Sequence, residues 1–403
     1  MAIRFKNGGT GQTADGAILA ANPDEFQEAL NYVDSSSTGV NHKYIELEAD
    51  LDLNYSANWY YKMKDIFNIN TLRTDSTSYN DKRIIINGKG HSITNIYVYP
   101  NCAVFGSNYD GVQTGSIVGI VLEINDVTFE AIIQKGGGFF NGTSRQDWPE
   151  KRTYYCWLCP KTNGCIFNIK FDNSYDIGNN YMHLFDYYSN IYFNTGYNYP
   201  RAVNCIFNIY ISAAAENHRP LFKVNSQSAS DFGNMTIFES CEFRIRNNTD
   251  KLLCIFHMMA NYKFLIDNCA FFLADIKQYD DPTKRTSSLY DQNFGIGTST
   301  RHAMGRYDTG YIGYLKALFY NSYVAAFGND FNSGSNDPIY ISMDPTDTNI
   351  IIPATSFYDK NKIFMTWDAS TTQETTGFSA LTTAQCKDKT ALSNIGYLFA
   401  EEV

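Results

Sequence analysis

The chain has 403 residues, of which 44% are hydrophobic and 15% aromatic, and its formal net charge is −10. The hydrophobic content is sufficient for a buried core, and the aromatic content suits pleated strands better than helices. The sequence contains no cluster of Lys and Arg of the kind that binds a phosphate backbone, and no apolar run of about 18 residues that could span a bilayer. We therefore predict neither nucleic-acid binding nor membrane insertion.

The first 21 residues are rich in Gly, Ala and Thr, and residues 7–17 read Asn-Gly-Gly-Thr-Gly-Gln-Thr-Ala-Asp-Gly-Ala. By composition this segment should make no core of its own and should be extended or dock on a partner. The motif is similar to a Gly-Gly-Thr-Gly-x-Thr segment common in bacteriophage tail fibre proteins. That resemblance implies that residues 1–21 form an attachment segment that binds another virion protein.

A short helix is predicted over residues 22–33, because Asn22 is a favourable N-cap and Pro23 then occupies the first helical position. Phe26, Leu30 and Val33 fall on one face of this helix. The apolar face could cover the open end of a sheet stack, whose core would otherwise meet water.

Strands follow the predicted helix. Residues 44–53 alternate between apolar and polar side chains, which predicts one strand, and residues 84–93 predict a strand, a tight Gly turn and a second strand. Helix, strand and turn together resemble the opening of pectate-lyase-like parallel β-helix proteins. By motif this resemblance covers residues 22–98, and it implies a fold rather than an activity.

One strand pattern recurs at intervals of 28–40 residues between Val127 and Cys269. In each copy Cys, Phe and Ile or Leu alternate with variable residues, so that one face of the strand points inward. Stacking of the copies predicts a core ladder. Its members are Cys165, Phe167, Cys205, Phe207, Cys241, Phe243, Cys269 and Phe271.

A second strand recurs between the ladder copies, and Phe185, Phe222 and Phe256 are its core members. A third strand ends just upstream of the ladder copies, with Phe238, Ile266 and Phe319 in equivalent positions. Between the third strand and the ladder lies a sharp corner, where Asn204, Asn268 and Asn321 would tolerate the left-handed conformation.

Three strands per repeat predict an all-β chain folded as a right-handed parallel β-helix, with a short N-terminal capping helix and a small C-terminal cap. A β-propeller has a similar repeat length but needs hairpins between consecutive strands, and the sequence offers none. The expected divisions are residues 1–21, the β-helix at 22–335 and the C-terminal cap at 336–403. Residues 380–399 are similar to a tail that closes repetitive β adhesins. We expect a helix from Thr383 and a closing strand at residues 395–399.

No metal or cofactor site is predicted. The nine cysteines are irregularly spaced, which favours free thiols in a reducing cytosol over a disulfide framework. Cys156 and Cys159 with Cys165 nearby lack the second pair that structural zinc needs. Asp344 and Asp347 lie in a Pro-containing segment that predicts a turn rather than a calcium site.

Two pairs of carboxylates are candidates for polysaccharide cleavage, which needs acids about 5–10 Å apart. Asp186 and Asp291 occupy equivalent positions but lie three coils apart. Glu239 and Asp267 lie on neighbouring coils, yet both fall at the corner, where acids are ordinary surface residues. We therefore predict no specific catalytic residue.

Aromatic side chains in predicted loops are candidates for glycan binding or for contact between subunits. They are Trp59, Tyr60, Trp148, Trp157, Tyr187 and Tyr188. A homotrimer of parallel rods is what the resemblance to phage spikes implies.

The resulting prediction is a bacteriophage virion structural protein, a fibre, spike or appendage located in the virion that contacts the host surface by binding. Its expected partners are itself, other virion proteins through the N-terminus, and a host surface glycan. Two alternatives stay open: a tailspike depolymerase that cleaves host polysaccharide, and a bacterial β-helix surface adhesin. For the adhesin we expect an export signal, which the first residues do not resemble.

Overall fold

The computed structural model describes the greater part of the first 274 residues and several later strands. The described residues are 2–32, 42–54, 66–68, 82–98, 103–106, 119–134, 138–141, 157–172, 183–188, 200–211, 222–225, 235–247, 256–258, 263–274, 306–307, 316–320, 323–327, 339–343, 356–359, 363–367, 378–382 and 384. Strands dominate the regular structure of these residues, so the predicted all-β class is confirmed.

The elements in chain order are β1 (Arg4–Phe5), β2 (Ile18–Ala20), α1 (Pro23–Asn31), β3 (His42–Leu47), β4 (Leu51–Asp52), β5 (Phe67–Asn68), β6 (Lys82–Asn87), β7 (Ser92–Val98), β8 (Ala103–Gly106), β9 (Gly119–Asn125), β10 (Thr128–Gln134), β11 (Gly138–Asn141), β12 (Trp157–Asn163), β13 (Ile166–Asp172), β14 (His183–Tyr188), β15 (Arg201–Val203), β16 (Ile206–Ile211), β17 (Phe222–Asn225), β18 (Met235–Glu239), β19 (Glu242–Asn247), β20 (Phe256–Met258), β21 (Lys263–Asp267), β22 (Ala270–Ala274), β23 (Arg306–Tyr307), β24 (Lys316–Tyr320), β25 (Tyr323–Phe327), β26 (Ile339–Met343), β27 (Ser356–Asp359), β28 (Ile363–Trp367) and β29 (Phe378–Leu381).

Three long sheets contain all of these strands except β26 and β28, which pair with each other in a separate parallel sheet. The first sheet has the order β1-β2-β3-β6-β9-β12-β15-β18-β21-β24, and the second has the order β4-β7-β10-β13-β16-β19-β22-β25-β27-β29. The third sheet has the order β5-β8-β11-β14-β17-β20-β23. From β3 to β25 the chain visits the first, second and third sheets in turn, and the neighbours within each sheet are parallel.

The predicted ladder is confirmed on the inner side of the second sheet. Cys165, Cys205, Cys241 and Cys269 are all buried, and the Phe residues two positions later form a stack. The ring centroids of Phe167 and Phe207 lie 4.9 Å apart, and those of Phe243 and Phe271 lie 4.4 Å apart. Strictly in-register pairing of parallel strands places identical side chains directly above one another, which explains the stack.

The second recurring strand forms the third sheet. Phe185 pairs with Phe222, and Phe222 pairs with Phe256, so the three predicted positions share one register. The Phe222 side chain is buried, and its ring lies 5.6 Å from that of Phe207. The third predicted strand belongs to the first sheet, where Ile266 pairs with both Phe238 and Phe319.

A column of left-handed residues forms the corner between the first and second sheets. Asn204, Ser240 and Asn268 have φ values of 52°, 54° and 51°. The corner residues are also linked through the backbone, because the Asn204 amide donates to the Glu239 carbonyl and the Ser240 amide donates to the Asp267 carbonyl, each over 2.9 Å. The predicted corner is therefore confirmed for Asn204 and Asn268, whereas Asn321 lies outside the described residues.

Helix α1 closes one end of the core. The Asn22 side chain caps it by accepting from the Glu25 amide over 2.9 Å, as predicted. Phe26 and Leu30 are buried, and the Phe26 ring meets the ring of Phe67 edge-on at 4.8 Å. Val33, the third predicted member of this face, is not among the described residues. No helix in the described part of the chain is long and apolar enough to cross a membrane.

The N-terminal segment differs from its prediction. The prediction of an extended or partner-bound segment did not foresee that it packs on its own chain: β2 pairs with β3, and Ala17, Ile18 and Ala20 are buried in the shared core. Ion pairs also hold the segment against the residues that follow it. The Arg4 guanidinium, for example, lies 2.7 Å from the Glu25 carboxylate of α1. Composition alone could not reveal that the segment joins the core. A few small apolar residues are enough for a segment to become buried when the rest of the chain supplies a sheet edge and most of the core.

Two further differences concern strand limits. The single strand predicted over residues 44–53 is wrong: β3 ends at Leu47 and β4 starts at Leu51, because the chain turns there from the first sheet to the second. At the other end, β27 and β29 continue the second sheet beyond residue 335. The boundary predicted at residue 335 is therefore not the end of this sheet. Thr383 and residues 385–403 lie outside the described residues.

Candidate binding face

The outer side of the second sheet carries a polar surface that the alternation of each strand creates. On β13 the side chains of Phe167, Ile169 and Phe171 are buried, so Asn168 and Lys170 between them point away from the core. The same alternation on β16 turns Asn208 outward. The buried ladder therefore fixes which residues form the outer face.

In-register pairing lines these outward residues up in rows that cross the strands. Glu130 pairs with Asn168, Asn168 pairs with Asn208, and Asn208 pairs with Arg244. The Asn208 amide nitrogen donates to the Asn168 side-chain oxygen over 2.7 Å. A parallel row contains Ile132, Lys170 and Tyr210 in successive strands.

Between these rows lies an open depression of about 520 Å³. Its lining comes from four neighbouring strands and consists of Glu130, Ala131, Ile132, Asn168, Ile169, Lys170, Asn208, Ile209, Tyr210 and Arg244. The volume falls within the range of roughly 300–1,000 Å³ that is usual for small-ligand sites. Amide, hydroxyl, ammonium and guanidinium groups give the depression both donors and acceptors.

Each cation of the depression has a carboxylate two residues away on its own strand. Arg244 donates from Nε and Nη2 to one oxygen of Glu242, over 3.1 and 2.7 Å. The Lys170 ammonium lies 3.9 Å from Asp172. The positive charges are thus balanced locally, and the surface can offer hydrogen bonds without a strong electrostatic field.

Among the described residues, the carboxylates around the depression do not have the geometry of a hydrolase. Glu130 and Glu242 lie three strands apart, which is at least roughly 14 Å. Glu130 and Asp172 lie on adjacent strands, but Asp172 pairs with Gln134, so the two acids are four positions apart, or roughly 13 Å. Both separations exceed the span of about 5–10 Å that glycoside hydrolysis uses.

The predicted aromatic binding residues that the structure describes do not line this depression. Trp59, Tyr60 and Trp148 lie outside the described residues. Trp157 begins β12 of the first sheet, and Tyr187 and Tyr188 end β14 of the third sheet. Their prediction as loop residues is wrong, because pairing with the neighbouring strands extends regular structure over them: Trp157 pairs with Gly119 and Tyr187 pairs with Val224.

The candidate acids that the structure describes do not line the depression either. Glu239 and Asp267 pair on neighbouring strands, as predicted, and Glu239 forms an ion pair with Arg201 at the edge of the corner. Asp186 pairs with Lys223 in the third sheet. The other three predicted acids, Asp291, Asp344 and Asp347, lie outside the described residues.

The buried thiols of Cys165 and Cys241 are not activated as nucleophiles. Cys159 and Cys165 are buried, and Cys156 is not among the described residues. A hydrogen bond with Cys205 together with burial raises the pKa of the Cys165 thiol, and burial raises the pKa of Cys241. Within the described residues no group of three or more His, Cys, Asp or Glu could hold a metal ion.

Sequence reasoning missed the residues of the depression. Asn168, Lys170, Asn208, Tyr210 and Arg244 occupy the positions between the repeated Cys, Phe and Ile residues, which we treated as variable. A signal was present, because Asn168 and Asn208 occupy the same position in two successive copies of Cys-Ile-Phe-Asn-Ile. Repetition of a polar residue on the outer face indicates a ladder there as much as repetition of Phe does inside.

Comparison with known proteins adds little to this geometry. No protein-family model and no curated protein sequence matches the chain. Among solved structures, a crystal structure of a "putative immunoglobulin A1 protease" from Bacteroides ovatus is similar over 97% of this chain and 89% of that chain. The identity is 14% and the TM-score is 0.26, which is too low to support an argument about fold or function.

Proposed function

We propose that the chain is a right-handed parallel β-helix with three short strands per coil, capped at its N-terminal end by α1. The rotation of the chain through three parallel sheets supports this architecture. Right-handedness is the general rule for crossovers between parallel strands of one sheet. Such a rod keeps its core constant while its outer face and loops vary, which suits a scaffold for recognition.

The function we propose is that of a bacteriophage virion component, a fibre, spike or appendage that contacts the host surface by binding a glycan. The observation that carries the binding role is the polar depression on the second sheet, with its amide pair, balanced charges and Tyr210. Its carboxylates are spaced too widely for hydrolysis, which favours binding over cleavage there. The virion assignment depends on the resemblance of residues 7–17 to tail fibre proteins. A homotrimer and a virion partner for the N-terminus belong to the same proposal.

The binding role is tested with an array of purified bacterial capsular and lipopolysaccharide glycans. We expect the full chain to bind at least one of these glycans, and Tyr210→Ala to weaken that binding at least about tenfold, or about 1.4 kcal/mol. Tyr44→Ala is the matched control, because Tyr44 is a partly exposed tyrosine on β3 of the first sheet, away from the depression. Equal losses for both variants, or release of reducing ends from the bound glycan, would contradict a binding role at this face.

The virion role is tested separately, by mass spectrometry of phage particles purified from the source culture. Peptides of this chain that remain with the particles through density-gradient purification support the proposal. Their recovery only in the bacterial envelope fraction would contradict it and favour a cellular adhesin.

A further inference from the structure

The charge arrangement of the depression bears on which glycans it can bind. Arg244 and Glu242 are both largely covered, with side-chain exposures of 27% and 17%, and the guanidinium donates two hydrogen bonds to one carboxylate oxygen. An anionic ligand would have to compete with Glu242 for this cation. A ligand without charge can use the same groups as donors and acceptors while the pair stays intact.

Two other acids also disfavour an anionic ligand. Glu130 is exposed at one end of the row, where it would repel an anion. On β13, the Asp172 carboxylate lies 3.9 Å from the Lys170 ammonium and reduces the attraction of Lys170 for an anion. When the acids that accompany the two cations are counted, the face does not form a positive patch. The net charge of the whole chain, −10, does not favour an anionic ligand either.

The amide pair supplies the hydrogen bonds for a hydroxyl-rich ligand. The bond from Asn208 to Asn168 uses one of two amide donors of Asn208 and fixes the orientation of both side chains. Groups that are oriented before binding lose less entropy when the ligand arrives. The ring of Tyr210, two positions along β16 from Asn208, offers an apolar face beside these polar groups.

The register determines the direction in which such a ligand lies. Glu130, Asn168, Asn208 and Arg244 occupy four successive strands, so the row runs across the strands with one polar side chain about every 4.8 Å. Along any one strand, at most two outward positions belong to the depression. An extended ligand therefore gains the most contacts when it crosses the strands.

We infer that the depression on the second sheet binds an uncharged glycan segment laid across strands β10, β13, β16 and β19. This inference rests on the proposed glycan binding and names the class of ligand within it. It predicts that recognition depends on hydrogen bonds from the amide row rather than on attraction between opposite charges.

The test compares neutral and uronate-bearing glycans from the same array at about 50 and about 500 mM NaCl, where screening differs strongly. We expect binding to neutral glycans that changes less than about twofold with salt and falls at least about tenfold in Asn208→Ala, which is about 1.4 kcal/mol. Lys170→Met should change it less than Asn208→Ala does. Ile206→Ala, on the same strand but outside the depression, is the control and should bind as the unaltered chain does.

The outcomes separate the inference from the proposed function. Binding confined to uronate-bearing glycans, weakened by salt and by Lys170→Met, would overturn the inference and leave glycan binding in place. Neutral binding that Asn208→Ala leaves unchanged would also overturn it, because the ligand would then lie elsewhere. Absence of binding to every glycan in the array would overturn both.

Discussion

Removal of one ring from the phenylalanine stack tests what stabilises the stacked strands of the second sheet. Phe207 is fully buried, and its ring lies 4.9 Å from Phe167 and 5.0 Å from Phe243. It also meets Phe222 edge-on at 5.6 Å. Phe207→Ala would leave a cavity between three neighbouring strands of the second sheet, and buried Phe→Ala changes cost about 3–5 kcal/mol.

The effect should be local, because stacked repeats contact only their neighbours. Hydrogen exchange followed by mass spectrometry measures it, since each peptide reports the opening free energy of its own region. We expect peptides of β13, β16 and β19 to lose about 3–5 kcal/mol of protection. Peptides of β3 and β6 should keep theirs.

The matched control is Ile206→Ala, which shortens an outward, partly exposed side chain on the same strand. This change should cost less than about 1 kcal/mol of stability, because folding buries little apolar surface of the Ile206 side chain. The reasoning would be refuted by equal losses of protection in the two variants, or by uniform loss over the whole chain in Phe207→Ala. Either result would mean that the ladder does not carry the local stability.

Three other predictions concern the N-terminal end, a tight corner and the buried thiols. The Arg4 guanidinium lowers the pKa of Glu25, so this pair stabilises residues 2–21 above the ordinary carboxyl pKa of about 4.3 and ceases to do so as the pH falls through the lower, folded value. Hydrogen exchange of that segment, corrected for intrinsic rates, should show this loss at acid pH. Glu25→Gln should reduce the loss without removing it, because Glu48 and Glu46 also pair with Arg4 and Lys6; an unchanged pH profile in the variant would contradict the assignment. Gly88→Ala should lower the urea midpoint, because an added Cβ would lie 2.4 Å from a backbone carbonyl oxygen of the neighbouring corner; a midpoint equal to that of the unaltered chain would show that the two corners are not in contact. Cys165 and Cys241 should react with iodoacetamide at pH 8 only after unfolding, because their thiols are buried and their pKa values are raised. Mass spectrometry maps the labelled residues. Labelling of either thiol in the native protein would contradict the buried ladder.

The sequence alone was sufficient for much of the repeating structure. Alternation of Cys, Phe and Ile is a local property, and it placed Phe167 and Phe207 correctly in the core. Asn204 and Asn268 marked the corner for an equally local reason, since few side chains tolerate positive φ. The cap of α1 was readable from Asn22 and Pro23, because helix initiation depends on adjacent residues.

The tertiary structure decided the features that depend on contacts between distant residues. The N-terminal segment joins the core because β3, more than 20 residues later, supplies a sheet edge for Ile18. Tyr187 lies in a strand because Val224, in the next strand of the third sheet, pairs with it. The depression needs the outward residues of four strands in register, from Glu130 to Arg244. Periodicity tells which face of a strand is buried, but only the register between neighbouring strands brings particular outward side chains together to form a surface.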